Sequence, residues 1–270
     1  MVPMEDDLRL ARRAALTGAA VGLRYFAALA GLPRQLKPDG SIVTEADQAV
    51  EAAIRNTLAG ARPDDAVLGE ETGQSGQGRR RWIIDPIDGT ALFVAGDDRW
   101  LVLVALEEAD EIVVGVAAVP AQGKLWWAER GAGAYQADFS GLTTTDERPI
   151  AVDRTRPDTL NGGRLGVIPT DDQLSHREHE MIAPLTAAAA KTPWHTHAAL
   201  LVADGEFDLA VQTRGQVWDY AATSLIVEEA GGRFSGLDGK PRPASGPALF
   251  ARDSAIHRAA LRVLDADSDR

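Results

Sequence analysis

W-I-I-D-P-I-D-G-T, Trp82 to Thr90, is the stretch on which the reading of this chain turns. The apolar run from Arg81 reads as a strand that stops at Pro86, so Asp85 stands at a strand tip and Asp88 follows three residues later. Gly89 lets the backbone approach a ligand, and Thr90 opens a short helix through Phe93, whose free N–H groups favour a phosphate. Carboxylates a few ångström apart repel by roughly 1 to 4 kcal/mol, depending on the local dielectric. The pair therefore needs a proton or a cation, and donors that are all oxygen select a hard ion such as magnesium. Taken alone, Asp88-Gly89 reads equally well as an ordinary turn and Asp85 as a strand-end cap.

Moving outward, further acids stand at element ends. Gly69-Glu70-Glu71 follows the short strand Ala66 to Gly69, and Trp218-Asp219 opens a helix over Val217 to Ala230. Thr44 and Asp47 open another helix, with Val50, Ile54 and Leu58 along one face. Each has a plainer reading: a solvated pair for Glu70-Glu71, a helix N-terminal charge for Asp219, a capping box for Asp47.

Around these, the patterning predicts a helix from Asp6 to Leu29 stopped by Gly31-Leu32-Pro33, a turn at Pro38-Asp39-Gly40, and an extended Ser41 to Val43. Leu101 to Leu106, Ile112 to Val119, Lys124 to Ala128 and Gly133 to Tyr135 predict an antiparallel meander. The polar stretch Ala137 to Arg148 is the expected junction between an N-terminal subdomain, 1–140, and a C-terminal one, 141–270. Beyond it, strand-like runs (Arg164 to Ile168, Phe207 to Val211, Gly232 to Ser235) alternate with helical ones (Gln173 to Ala190, Val217 to Ala230, Ser254 to Val263), as in a layered α/β unit. His195 and His197 read as alternating on a strand, and His176 and His179 as a solvated helix face, with no third ligand in a zinc pattern.

With 270 residues, 45% of them hydrophobic, the chain can bury a sizeable core. Forty acidic against 28 basic residues give a net charge of -12, which disfavours nucleic acid and anionic membranes as partners. The chain has no cysteine, which fits a reducing compartment. Its acidic N-terminus lacks the pattern of a secretory signal, and the apolar stretch Ala14 to Leu32 is interrupted by Arg24, Gly18 and Gly22, so no membrane span and a cytoplasmic location are expected.

D-G-S-I-V-T-E-A-D (Asp39–Asp47), G-E-E-T-G (Gly69–Gly73), W-I-I-D-P-I-D-G-T and W-D-Y-A-A-T (Trp218–Thr223) stand in the order and spacing of the inositol monophosphatase family, which the chain resembles nearly end to end. The segments Trp126–Tyr135 and Val227–Phe234 add to the likeness, and the first looks most like the histidinol-phosphate phosphatase branch. The resemblance implies a layered αβαβα sandwich of the inositol monophosphatase and fructose-1,6-bisphosphatase type, a homodimer, and magnesium-dependent hydrolysis of a small phosphate monoester. It implies that Glu70, Asp85 and the Ile87 carbonyl hold one magnesium, that Asp85, Asp88 and Asp219 hold a second, and that Asp47 beside Glu70 supports a weaker third. Two-metal phosphoryl transfer would follow, with water attacking phosphorus directly. Glu70 and Thr90 would orient that water, Gly89 and Thr90 N–H groups would hold the phosphate, and His195, Gln212 and Asp219 would meet the rest of the substrate.

The chain departs from the family at Leu92, where a polar residue is usual, at Pro193–His197, where a glycine-led segment is usual, and at Gln212, where an acid is common. The neutral Gln212 weakens the case for a cationic substrate. Two other readings compete. The haloacid dehalogenase-like phosphatases use an aspartyl nucleophile in D-x-D-G-T, but here two residues separate the aspartates. The other is a scaffold that binds metal and phosphate with activity lost through the altered pocket, and the retention of every expected metal carboxylate weighs against it.

Overall fold

The computed structural model describes residues 5–29, 34–36, 42–241 and 244–268. Helix α1 (Asp7–Ala27) starts where Asp6 accepts the Arg9 N–H at 2.7 Å, and α2 (Glu45–Ala61) starts at the capping box that Thr44 and Asp47 form. Between them, β1 (Arg34–Leu36) pairs antiparallel with β2 (Ile42–Thr44). The sequence-predicted stop at Gly31-Leu32-Pro33 and turn at Pro38-Asp39-Gly40 lie outside the described residues.

The first sheet is built from β3 (Ala66–Gly69), β4 (Gly73–Ser75), β5 (Arg80–Asp88), β6 (Leu101–Glu108), β7 (Glu111–Val119), β8 (Lys124–Glu129), β9 (Gly133–Ser140) and β10 (Thr143–Ile150), in the order β10-β9-β8-β7-β6-β5-β3-β4. The predicted meander is its antiparallel run β6 to β9, and β3 alongside β5 is its one parallel pair among the described strands. Ala137 to Arg148, read from sequence as a junction, forms most of the β9–β10 hairpin, which turns at Gly141 with φ 60°. Its polarity is that of an exposed edge strand. The chain leaves this sheet after Ile150.

A second sheet follows from β11 (Arg164–Ile168), β12 (Ala190–Lys191), β13 (Leu209–Gln212), β14 (Arg233–Gly236) and β15 (Ala248–Ala251), in the order β12-β11-β13-β15-β14. Helices α4 (His176–Ala188) and α7 (Ser254–Ser268) cover one face of it. On the other face lie α5 (Ala198–Ala203) and α6 (Val217–Glu229). A short helix, α3 (Thr90–Ala95), follows β5.

Period-two alternation decides the layers. On β6, Val102, Val104 and Leu106 pack with α1 and α2, while Leu101, Leu103 and Ala105 pack with α5 and α6. Helix α6 is apolar all round, buried from Tyr220 to Val227, because it has a sheet on each side. Each such Leu or Ile contributes about 1.5–3 kcal/mol on burial. The result is a five-layer αβαβα sandwich, α1/α2, sheet, α5/α6, sheet, α4/α7, as the resemblance implied.

Candidate active site

Strand β5 continues past Pro86 to Asp88, beyond the end predicted at Asp85. Asp85 pairs with Leu103 and Asp88 with Leu101, so three steps on β5 match two on β6: a bulge at Pro86-Ile87. Proline is tolerated there because the bulged residue makes no ladder bond. The bulge also aims the site. Residues three apart on a regular strand face opposite sides, and the extra residue turns Asp88 back to the side of Asp85. Asp219, in the first turn of α6, completes the group: one carboxylate oxygen from each of Asp85, Asp88 and Asp219 lies within 4.8 Å of the others.

Glu70 reaches the same place because β3 runs parallel to β5, so both strands end on one edge, where sites of such sheets form. Its backbone N–H donates to the Ile84 carbonyl at 3.2 Å, and its carboxyl shares a hydrogen bond with Asp85. Burial, then the charges of Glu70, Asp88 and Asp219, push Asp85 well above the usual carboxylate range. Burial and the neighbouring Asp219 and Glu70 do the same to Asp88, and burial raises Asp219 to about 7. Asp85 Oδ1 is buried with no hydrogen-bond partner among the described residues. Crowded, raised carboxylates and an orphaned oxygen, with oxygen donors only, fit a hard divalent cation.

Asp47 does two things. Its Oδ2 accepts the Thr44 N–H at 2.7 Å and the Thr44 hydroxyl at 2.8 Å, closing the capping box, and its Oδ1 lies 3.3 Å from Thr90 Oγ1. Burial raises its pKa. The Thr90 hydroxyl also reaches the Ile87 carbonyl, at 3.0 Å, so the sequence-predicted ligand Ile87 and the sequence-predicted catalytic Thr90 are neighbours. Gly89 adopts φ 82°, the left-handed turn that takes β5 into α3.

These groups border a cavity of about 810 Å³, whose lining includes Glu70, Asp88, Gly89, Thr90 and Asp219. The lining also includes Arg99, Trp194, His197, Gln212, Arg214 and Trp218. The Arg99 guanidinium lies 4.4 Å from the Trp194 ring centroid, pairs with Asp97, and donates to the Trp194 carbonyl at 3.0 Å. Gln212 ends β13 almost wholly buried, its Oε1 without a hydrogen-bond partner among the described residues. Leu92, in place of the usual polar residue, lies against Gly89.

His195 is not part of this lining. Its side chain is 67% exposed and faces Glu206 at 3.9 Å, whereas His197 is buried with Nε2 3.7 Å from Asp88 Oδ2. The expected strand is absent here: the chain bends at His195-Thr196 and enters α5 at Ala198, which turns one histidine out and the other in. Burial lowers His197 to about 4, so it is neutral at physiological pH. His176, 90% exposed, is the solvated residue expected.

Sequence reasoning missed Arg99 and Glu51 as members or supports of the site, and within Pro193–His197 it chose His195 where the structure puts Trp194 and His197 on the cavity. Only Glu51 left a local trace, as an acid one helical turn beyond Asp47 and four residues before Arg55.

An acid-lined cavity at the strand ends of an αβαβα sandwich, together with the match of a phosphatase family across the chain, places this protein among the phosphoric monoester hydrolases. The chain belongs to the inositol monophosphatase family, whose model matches residues 5–266. A histidinol-phosphatase of Streptomyces coelicolor is 39% identical over 96% of this chain and 97% of its own. A protein of Streptomyces griseus named glucose-1-phosphate thymidylyltransferase is 38% identical over 90% of each. Among solved structures, the IMPase of Thermotoga maritima superposes with a TM-score of 0.80 at 26% identity, over 98% of this chain and 99% of that one.

Proposed function

We propose that this chain is a magnesium-dependent phosphatase that hydrolyses a small polyol or amino-alcohol phosphate by direct attack of water, acting as a cytoplasmic homodimer. The observation that carries the reading is the meeting of Asp85, Asp88 and Asp219, with the buried Asp85 Oδ1 lacking any hydrogen-bond partner among the described residues. Glu70, Asp85 and the Ile87 carbonyl would hold one magnesium, Asp85, Asp88 and Asp219 a second, and Asp47 with Glu70 a weaker third. Bound magnesium supplies positive charge to the phosphate oxygens and acidifies water.

The side chains do the rest. Thr90, held by Asp47 and the Ile87 carbonyl, and Glu70, beside Asp85, orient the attacking water, and the Glu70 carboxylate takes its proton. The left-handed turn at Gly89 lets its own N–H and that of Thr90 approach the phosphate. His197, neutral and buried beside Asp88, adds no charge to the wall. The wall against the leaving alcohol carries Gln212 and no carboxylate outside the metal-binding group among the described lining residues, which suits hydroxyls. The S. coelicolor relative's name keeps histidinol phosphate among the substrates to test, and the S. griseus name keeps sugar 1-phosphates.

The experiment is phosphate release, with and without magnesium, from inositol phosphates, histidinol phosphate, sugar phosphates and nucleoside monophosphates. Asp88→Asn and Glu70→Gln are each expected to lower turnover at least about 100-fold with the fold intact. Unchanged turnover in both would defeat the assignment, and a phosphoryl group trapped on Asp85 would defeat direct water attack.

A further inference from the structure

Glu51 is wholly buried on α2, one turn beyond Asp47, and is not among the cavity-lining residues. Its carboxylate is spent on the backbone that carries Glu70. Oε2 accepts the Glu71 N–H at 2.8 Å, and Oε1 accepts the Thr72 N–H at 3.2 Å together with the Thr72 hydroxyl. On the other side of Glu70, a Cβ at Gly69 would sit 2.3 Å from Glu51 Oε1, so the carboxylate fills the space any larger residue would need. Glu70 is thus gripped from both flanks. Arg55 completes the brace: its Nε donates to Glu51 Oε1 at 2.8 Å, while its other nitrogens reach the Gly73 carbonyl at 2.6 Å and Ser75 Oγ at 2.9 Å.

Asp47, Glu51 and Arg55 stand four residues apart, a stripe along one face of α2 with about 6 Å of rise per step. The first contacts Thr90, the second fixes the turn that bears Glu70, and the third ties down the strand beyond it. We propose that Glu51 is a positioning residue of the reaction, and that α2 is the rigid spacer that sets Glu70 against Thr90 and Asp85. This rests on the metal-phosphatase reading above for the roles of Glu70 and Thr90. A buried carboxylate kept only for stability has no need to bind the two residues that follow a site acid.

The test separates position from stability. Mn2+ binding to the full chain, followed by electron paramagnetic resonance, is measured beside kcat and KM for phosphate release. Glu51→Gln keeps the shape but turns donors toward donors, and it is expected to weaken Mn2+ binding about tenfold or more and lower kcat by a similar factor. KM stays within about twofold, since substrate contacts are untouched. Thr72→Val, which removes one donor to the carboxylate, is expected to show the same pattern at about threefold. A folded Glu51→Gln protein with wild-type Mn2+ affinity and kcat overturns the proposal. If Glu51→Gln does not fold, wild-type Mn2+ affinity in Thr72→Val overturns it. Should the wild-type chain bind Mn2+ yet release phosphate from no substrate, the function proposed above fails while the Mn2+ measurements still judge Glu51.

Discussion

Gln212 stands at the end of β13 with a buried oxygen unpartnered among the described residues, in a wall that also carries Arg99 and Arg214. Those two cations are already matched, Arg99 by Asp97 and Arg214 by Glu178. Glu178 itself is committed. Against the burial that would raise it, hydrogen bonds from Thr213 and Ser175 and the Arg214 contact bring it down to about 2. Among the described lining residues no carboxylate outside the metal-binding group is therefore left over to greet an ammonium group, and Gln212→Glu would create one. The variant is expected to raise kcat/KM for histidinol phosphate relative to inositol 1-phosphate by about tenfold, the scale of one charge-assisted hydrogen bond. Competition assays with the two substrates check it, and an unchanged ratio would show that Gln212 does not touch the leaving alcohol.

At the scale of elements, the contact between β7 and α6 sets where Asp219 lies. A Cβ at Gly115 would sit 2.8 Å from the Ala222 carbonyl oxygen and 3.1 Å from Ala222 Cα, both backbone atoms that cannot swing aside. Gly115→Ala must push α6 away from the first sheet, and Asp219 lies one turn earlier on the same helix. Overpacking of this kind costs about 1–3 kcal/mol. The expected outcome is a modest fall in melting temperature with a disproportionate loss of Mn2+ affinity, read by calorimetry and metal titration on one sample. What was legible in the sequence follows the same division. Caps and periodic faces announced α1, α2 and the meander, because those signals are local. Pro86 misled, since a missing N–H ends a regular strand but is harmless in a bulge. His195-Thr196-His197 misled too, since a two-residue alternation in a bend imitates a strand. The meeting of Asp219 with Asp85 depends on α6 lying between two sheets, which no local pattern encodes, and it was reached only through likeness to a family.

For the whole molecule, the buried acids tie stability to pH and to metal. Burial holds Asp219 at about 7 and Asp85 and Asp88 well above their usual range, whereas the unfolded chain releases these protons near pH 4. The metal-free native state therefore binds more protons than the unfolded one between those limits. The stability Asp219 contributes is complete below about pH 4 and is lost as pH rises through about 7, and the raised Asp85 and Asp88 act in the same direction. His197, lowered to about 4, acts oppositely between there and about 6.5, so the bare melting curve blends both effects. The rise in melting temperature on adding magnesium isolates the acids, because the cation takes the place of the protons. That rise is expected to be small near pH 5 and to grow through neutrality. In Asp219→Asn it is expected to be smaller and flatter; an increment independent of pH in the unaltered chain would argue against cation binding at these carboxylates.

Helix α6, greasy on every side and gripped by both sheets, also bears on how the molecule can be taken apart. Cut between β10 and β11, the first sheet loses the cover of its inner face and the remainder carries a helix with one apolar side bared. Neither fragment has a comfortable existence in water. The two sheets are thus bound to one fate in synthesis and in decay, and a break in the connecting segment leaves pieces that must either find each other again or be cleared together.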